Sequence, residues 1–190
     1  MGLAIPIETS ARHIHISQAD FEKLFGEGKT PTYKADLSQP GQYVCHERIT
    51  VKGPKGTFEN VALLGPCRPE TQVEISMTDS RKLGVPGIIR QSGDTKDTPG
   101  CTLIGPCGEL EIDHGVIVAK RHIHMTPVEA KKWGLKDGDV VNVSTISGER
   151  NATLGDVLVR VSDKYALEMH IDIDEANACC LGNNDLVAID

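Results

Sequence analysis

The sequence predicts a mainly β, barrel-like fold, and three observations lead there. Most of the chain breaks into short apolar strings bounded by Gly, Pro, Asp or Asn. Its 190 residues include 19 Gly and 10 Pro, more than a helical bundle accommodates. No regular alternation of strand and helix marks a parallel sheet. The length suffices for one large domain or two small ones sharing a core. Aromatics contribute only 4% of residues, so the core must be built from Val, Ile, Leu and Ala.

The elements follow in order. Ser17 is placed to cap a helix over Gln18–Phe25 that stops at Gly26. Thr30–Tyr43 is rich in Pro, Gly and Gln and reads as a loop or hairpin inserted between better ordered parts. Strands are predicted at Glu47–Lys52, Glu59–Leu64 and Gln72–Met77, then a turn of helix over Asp79–Leu83. Val116–Ala119 forms the next strand. Thr126-Pro127 puts proline at the first position of a helix over Val128–Trp133, ending at Gly134. A polar turn leads into a strand at Asp139–Ser144, followed by Leu158–Val161 and a last helix over Asp174–Cys180.

Composition excludes several classes. Twenty Lys and Arg against 27 acids leave a net charge of −7, which argues against a nucleic-acid binder with a basic face. A few local arginines can still hold a phosphate in an acidic protein. No apolar run approaches the roughly 20 residues that span a bilayer. Met1–Ile7 has neither a basic stretch nor a long apolar one, so no export signal is read there. The six cysteines, at 45, 67, 101, 107, 179 and 180, form no C-x-x-C and read as reduced cytosolic thiols.

The chemistry lies in an internal echo. Arg12-His13-Ile14-His15-Ile16-Ser17 recurs as Arg121-His122-Ile123-His124-Met125-Thr126, and each copy leads into a short helix and a glycine. Side chains alternate along a strand, so His13 and His15 share one face, as do His122 and His124. Ile14, Ile16, Ile123 and Met125 then pack the other way. A strand that presents two imidazoles on one face offers two metal ligands. One such pair reads first as surface decoration; two copies with the same flanking Arg favour a metal. Val73–Asp79 can also be laid over Met169–Glu175, which matches Glu74 with His170. Each half then offers three ligands and an open position, as catalytic metals require. Imidazole and carboxylate without thiolate suit zinc first, with iron, cobalt, nickel and manganese as alternatives. His46 and His114 lack an H-x-H partner and read as surface or supporting residues. Arg12 and Arg121 point to the opposite strand face and read as structural.

At these residues the sequence resembles the PduL-type phosphotransacylases, or phosphate propanoyltransferases. The matching strings are Ser10–His15, Asp36–Gln42, Leu64–Arg68, Thr71–Glu74, Arg121–His124, Met169–Asp172 and Glu175–Asn177. The resemblance spans essentially the whole chain. It implies two small β-barrels capped by short α-helices, with the active site between them, and a threaded topology. Residues 2–11 with 120–190 would form one barrel, 12–25 with 47–119 the other, and 26–46 an inserted loop or hairpin. It implies two zinc ions, one on His13, His15 and Glu74 and one on His122, His124 and His170. Arg68 matches the catalytic, phosphate-binding arginine, with Ser92 in Gln91-Ser92-Gly93 as its helper in binding phosphate. Ser10, Lys34, Leu64, His170 and Asn177 fall where the family contacts coenzyme A, while Ala62 replaces a basic residue found in some members.

The implied reaction is acyl-CoA plus phosphate giving acyl phosphate plus CoA, with propanoyl or acetyl as the acyl group. Acyl-CoA and phosphate are the expected partners, with neither nucleic acid nor membrane, and a homodimer is implied. Location is cytoplasmic or the lumen of a bacterial microcompartment, among its shell or lumen enzymes. Many members begin with an amphipathic targeting helix, and Ser10 comes too early here for one. A binuclear metallohydrolase would use the same ligands without phosphate as cosubstrate, and a noncatalytic metal-binding module would need no anion pocket. Cys67, directly before Arg68, could in principle carry the acyl group; direct attack by phosphate is the favoured route.

Overall fold

The computed structural model describes residues 4–190, so residues 2 and 3 of the expected first segment, and the start of Met1–Ile7, lie outside the described residues. Strands β1 (Ala4–Ser10) and β2 (His13–His15) lead into helix α1 (Gln18–Phe25). Next come β3 (Tyr33–Asp36), β4 (Tyr43–Lys52), β5 (Thr57–Gly65) and β6 (Gln72–Glu74), then α2 (Met77–Leu83). Strands β7 (Ile89–Arg90), β8 (Cys101–Gly105), β9 (Gly108–Ile112), β10 (Val116–Ala119) and β11 (His122–Met125) precede α3 (Pro127–Trp133). The chain ends with β12 (Val140–Thr145), β13 (Thr153–Val161), β14 (Glu168–Asp172), α4 (Ile173–Cys179) and β15 (Leu186–Ile189).

These elements form two compact units. The first comprises residues 4–11, 38–40 and 120–190, and the second 12–37 and 41–119. In the first, six strands close a barrel in the order β1-β14-β11-β13-β12-β15, and β15 pairs back onto β1. In the second, the sheet runs β7-β10-β6-β2-β5-β4-β8-β9, with β3 paired to β4, and curves as a half-barrel. The segment expected as an insertion supplies β3, a hairpin partner of β4, while residues 38–40 go with the first unit.

Each unit has its own aliphatic core. Ile5, Ile7, Ile123, Met125, Val143, Val157, Val159 and Met169 fill the closed barrel. Ile14, Ile16, Ile49, Leu63, Val73 and Leu103 fill the second unit, where Phe21, Leu24 and Phe25 of α1 dock with the two phenyl rings stacked. Burying one such side chain contributes about 1.5–3 kcal/mol, so Ile14 and Ile123 anchor the two histidine strands from behind.

All four helices of the described residues start on a polar cap. Ser17, Ser76, Thr126 and Asp172 accept the backbone N–H three residues on, and Thr126–Glu129 and Asp172–Glu175 are reciprocal capping boxes. The Ser76 cap explains a difference from the predicted strand over Gln72–Met77. Its hydroxyl accepts from Asp79 N at 3.2 Å and starts α2 at Met77, so β6 stops at Glu74. α3 begins at Pro127, as a proline at the first helical position requires, and ends at Gly134 in the left-handed region. No helix among the described residues is long and apolar enough to cross a membrane.

Candidate active site

The two H-x-H strings occupy matching positions. In the second unit β2 runs antiparallel to β6, with His13 opposite Glu74 and His15 opposite Gln72. In the first, β11 runs antiparallel to β14, with His122 opposite His170 and His124 opposite Glu168. Each histidine strand is also flanked by a parallel neighbour, β5 or β13. The overlay of Val73–Asp79 on Met169–Glu175 therefore describes a repeat of the fold as well as of the sequence.

The pairing gathers the ligand candidates. His13, His15 and Glu74 offer donor atoms within 4.8 Å of one another, and so do His122, His124 and His170. His13 Nε2 and His15 Nε2 lie 3.5 and 3.6 Å from the two Glu74 oxygens. Burial raises the Glu74 pKa, but the two imidazoles and the hydrogen bonds from His13 and Ser92 outweigh it and hold the carboxyl well below its usual range. Burial pushes His15 well below the ordinary histidine value, helped by His13 and Arg68 and opposed by Glu74.

The three-histidine group is stacked as well as buried. The His122 and His170 rings are parallel at 5.0 Å, and Tyr165 stacks on His124 at 4.1 Å. Nδ1 of His122 lies 2.8 Å from the Lys120 carbonyl and donates to it, which fixes the neutral tautomer with its proton on Nδ1. Both ring nitrogens of His124 are buried without a hydrogen-bond partner. Burial, with the charges of His122, His170 and Arg160, pushes its pKa down to about 2, so the ring is neutral.

A hydrogen-bonded chain joins Arg68 to Glu74. Arg68 Nη1 donates to Ser92 Oγ at 3.0 Å, and Ser92 Oγ donates to Glu74 Oε1 at 2.7 Å. Gln72 Nε2 donates to both, at 2.6 Å to Glu74 and 3.1 Å to Ser92. The single Ser92 proton is thus committed to Glu74, and both its lone pairs are used. Ser92 thus links Arg68 to Glu74. Three residues before Arg68, a Cβ at Gly65 would come within 2.3 Å of the Tyr43 ring, so a larger residue there would displace that ring.

The expected coenzyme contacts divide between the units. Ser10 pairs with Asp172, the cap of α4, and Asn177 is exposed on that helix. Leu64 sits opposite His15 on β5, and Lys34 is exposed on β3. His170 belongs to the three-histidine group. Cys67 Sγ lies 3.5 Å from Gln18 Oε1 and donates to it, and burial pushes the thiol pKa up. His46 is exposed, and His114 lies in a partly exposed ion pair with Glu70 and Asp113.

Sequence reasoning missed Gln72, Tyr165, Glu168, Ser38 and Gln39 as parts of these groups. Gln72 and Glu168 were within reach, because each stands two residues before a predicted ligand on the same strand and so shares its face. Ser38 and Gln39 lie about 130 residues from Glu168 in sequence, beyond any local pattern.

Comparison with known proteins identifies the family. The family model for phosphate propanoyltransferase matches residues 6–182. A phosphate propanoyltransferase of Clostridioides difficile (strain 630) is 54% identical over 175 residues, covering 92% of this chain and 83% of the relative. One from Thermotoga maritima is 53% identical over 185 residues, covering 97% and 88%. One from Rhodopseudomonas palustris (strain BisB18) is 51% identical over 185 residues, covering 97% and 81%. Identity at this level over nearly the full length means that the chain belongs to the phosphate propanoyltransferase family and is a transferase.

Proposed function

We propose that this protein exchanges a short acyl group between coenzyme A and phosphate, acyl-CoA plus phosphate giving acyl phosphate plus CoA. Propanoyl is the acyl group its relatives' names carry, and acetyl is one methylene smaller, worth only about 1–3 kcal/mol in a pocket. The carrying observation is the chain Arg68–Ser92–Glu74, which sets an anion-holding guanidinium beside a buried His/Glu group.

Arg68 binds the phosphate, because a planar guanidinium can hold two of its oxygens at once and screen its charge. Ser92 and Gln72 keep Arg68 and Glu74 in register. One phosphate oxygen then bonds to the thioester carbonyl carbon while the C–S bond breaks, and coenzyme A leaves as the thiolate. No acyl-enzyme is needed, since the Cys67 thiol is held protonated by burial and has no base assigned to it. Ser10, Lys34, Leu64, His170 and Asn177 are proposed to contact the coenzyme.

Zinc fits both three-residue groups. His124 buries two unpartnered ring nitrogens, a costly arrangement unless a ligand takes one, and neither set contains a thiolate. His13, His15 and Glu74 would hold one ion and His122, His124 and His170 the other. Zinc supplies a Lewis acid with affinity for oxygen and sulfur.

Thiol release from propanoyl-CoA, measured with and without phosphate, tests the reading. Release that requires phosphate and yields a hydroxylamine-reactive acyl phosphate supports it. Release at the same rate without phosphate would mark a hydrolase and overturn it.

A further inference from the structure

We propose that Glu168 is a positioning residue for the three-histidine group, fixed by Ser38 and Gln39 and supplying the negative charge that group lacks. The inference rests on the reading of His122, His124 and His170 as a metal site.

The two repeats distribute one carboxylate differently. Opposite the histidine strand of the second unit stand Gln72 and Glu74, and opposite that of the first stand Glu168 and His170. Positions 72 and 168 correspond, as do 74 and 170. At these two paired positions each copy thus carries one carboxylate, two residues apart. In the second unit the carboxylate is itself in the ligand group, and Gln72 donates to it at 2.6 Å. In the first, the imidazole is in the ligand group and the carboxylate is its neighbour, with Glu168 Oε2 at 3.1 Å from His170 Nε2.

Glu168 is built in rather than loosely placed. The residue is 8% exposed. Ser38 Oγ donates to its Oε2 at 2.5 Å and Gln39 Nε2 donates to the same oxygen at 3.0 Å. Gln39, only 3% exposed, is locked in turn: it donates to the Ala166 carbonyl at 3.1 Å and accepts from the Ala166 N–H at 3.2 Å.

Charge gives the arrangement its purpose. A dication on three neutral imidazoles keeps its full charge, whereas His13, His15 and Glu74 would remove one unit. Burying a carboxylate whose hydrogen bonds come from neutral donors is costly, and a nearby cation offsets that cost. Partners of this kind orient ligating histidines and tune metal affinity by about 10–100-fold.

Zinc affinity tests this directly. In the full chain carrying His13→Ala and His15→Ala, only the three-histidine group remains, and competition against a chromogenic chelator reports its affinity for zinc alone. Glu168→Gln in that background should weaken binding about 10–100-fold. Ser38→Ala should weaken it in the same direction by less, and Glu168→Asp should restore part of the loss. Thermal unfolding of the metal-free variants separates this effect from a general loss of fold, and Ser38→Ala carries the test if Glu168→Gln unfolds. Unchanged zinc affinity in a folded Glu168→Gln or Ser38→Ala variant would overturn the proposal. A parent protein that binds no zinc through its three histidines would overturn the metal reading itself, a different and separable result.

Discussion

Arg12 grips Asp79 with two hydrogen bonds, Nε to Oδ2 at 2.9 Å and Nη2 to Oδ1 at 2.8 Å. Arg121 Nη1 donates to Glu175 Oε1 at 2.8 Å at the matching place in the other repeat. Each arginine immediately precedes an H-x-H strand, and each acid stands in the helix that follows the third ligand candidate. The pair therefore clamps both strands of a ligand group at one end. Arg12 also lies 4.3 Å over the Phe58 ring, which marks it as structural.

Removing that clamp should cost stability. The Asp79 side chain is 6% exposed, so Arg12→Ala leaves a buried carboxylate without its cation. We expect a loss of about 1–3 kcal/mol in urea unfolding, discounted because Arg12 itself is part exposed. Phosphate KM should be unchanged once the variant is folded.

Metal content should track the histidines. Replacing His122 or His124 by Ala should lower bound zinc from about two ions per chain to about one, measured by elemental analysis, with a steep fall in turnover. A variant lacking both histidines that retained both ions would refute the ligand assignment.

Arg68→Ala should raise the phosphate KM about 10–100-fold, the equivalent of one charge-assisted contact, with zinc content unchanged because Gln72 still donates to Glu74. Arg68→Lys should recover only part of the loss, since a point charge cannot make the two-pronged contact. Initial rates against phosphate concentration decide it.

Cys67→Ala should keep its rate within about a factor of three, because a buried cysteine behaves mainly as a small hydrophobe. Initial-rate patterns should intersect, as a ternary complex requires. Parallel patterns together with an inactive, zinc-loaded Cys67→Ala enzyme would establish a covalent route instead.

Acid should destabilise the metal-free protein early. The His124 pKa lies at about 2 in the fold against an ordinary 6.5, so below that value the unfolded chain binds the proton first. Its contribution to stability is complete above pH 6.5 and is lost progressively as pH falls toward 2. His15, lowered for the same reason of burial, acts in the same direction. The unfolding temperature of metal-free protein should drop between about pH 7 and 5, and His124→Gln should flatten that slope.

Sequence alone determined what depends on neighbours within a few residues. Strand alternation put His13 with His15 and His122 with His124, and the caps at Ser17 and Thr126 set the starts of α1 and α3. The weak overlay of Glu74 on His170 was readable because the strand and the helix cap after it recur together. Tertiary structure decided the rest. Only sheet pairing brings Glu74 to His13 across some 60 residues, and only the packing of the loop at 38–40 brings Ser38 and Gln39 to Glu168 across about 130. Only sheet pairing closes β1 against β14 and β15 into one barrel while the other sheet remains a half-barrel. Periodicity and capping are short-range forces written along the chain, whereas the partner of a buried carboxylate is chosen by which distant backbones share hydrogen bonds.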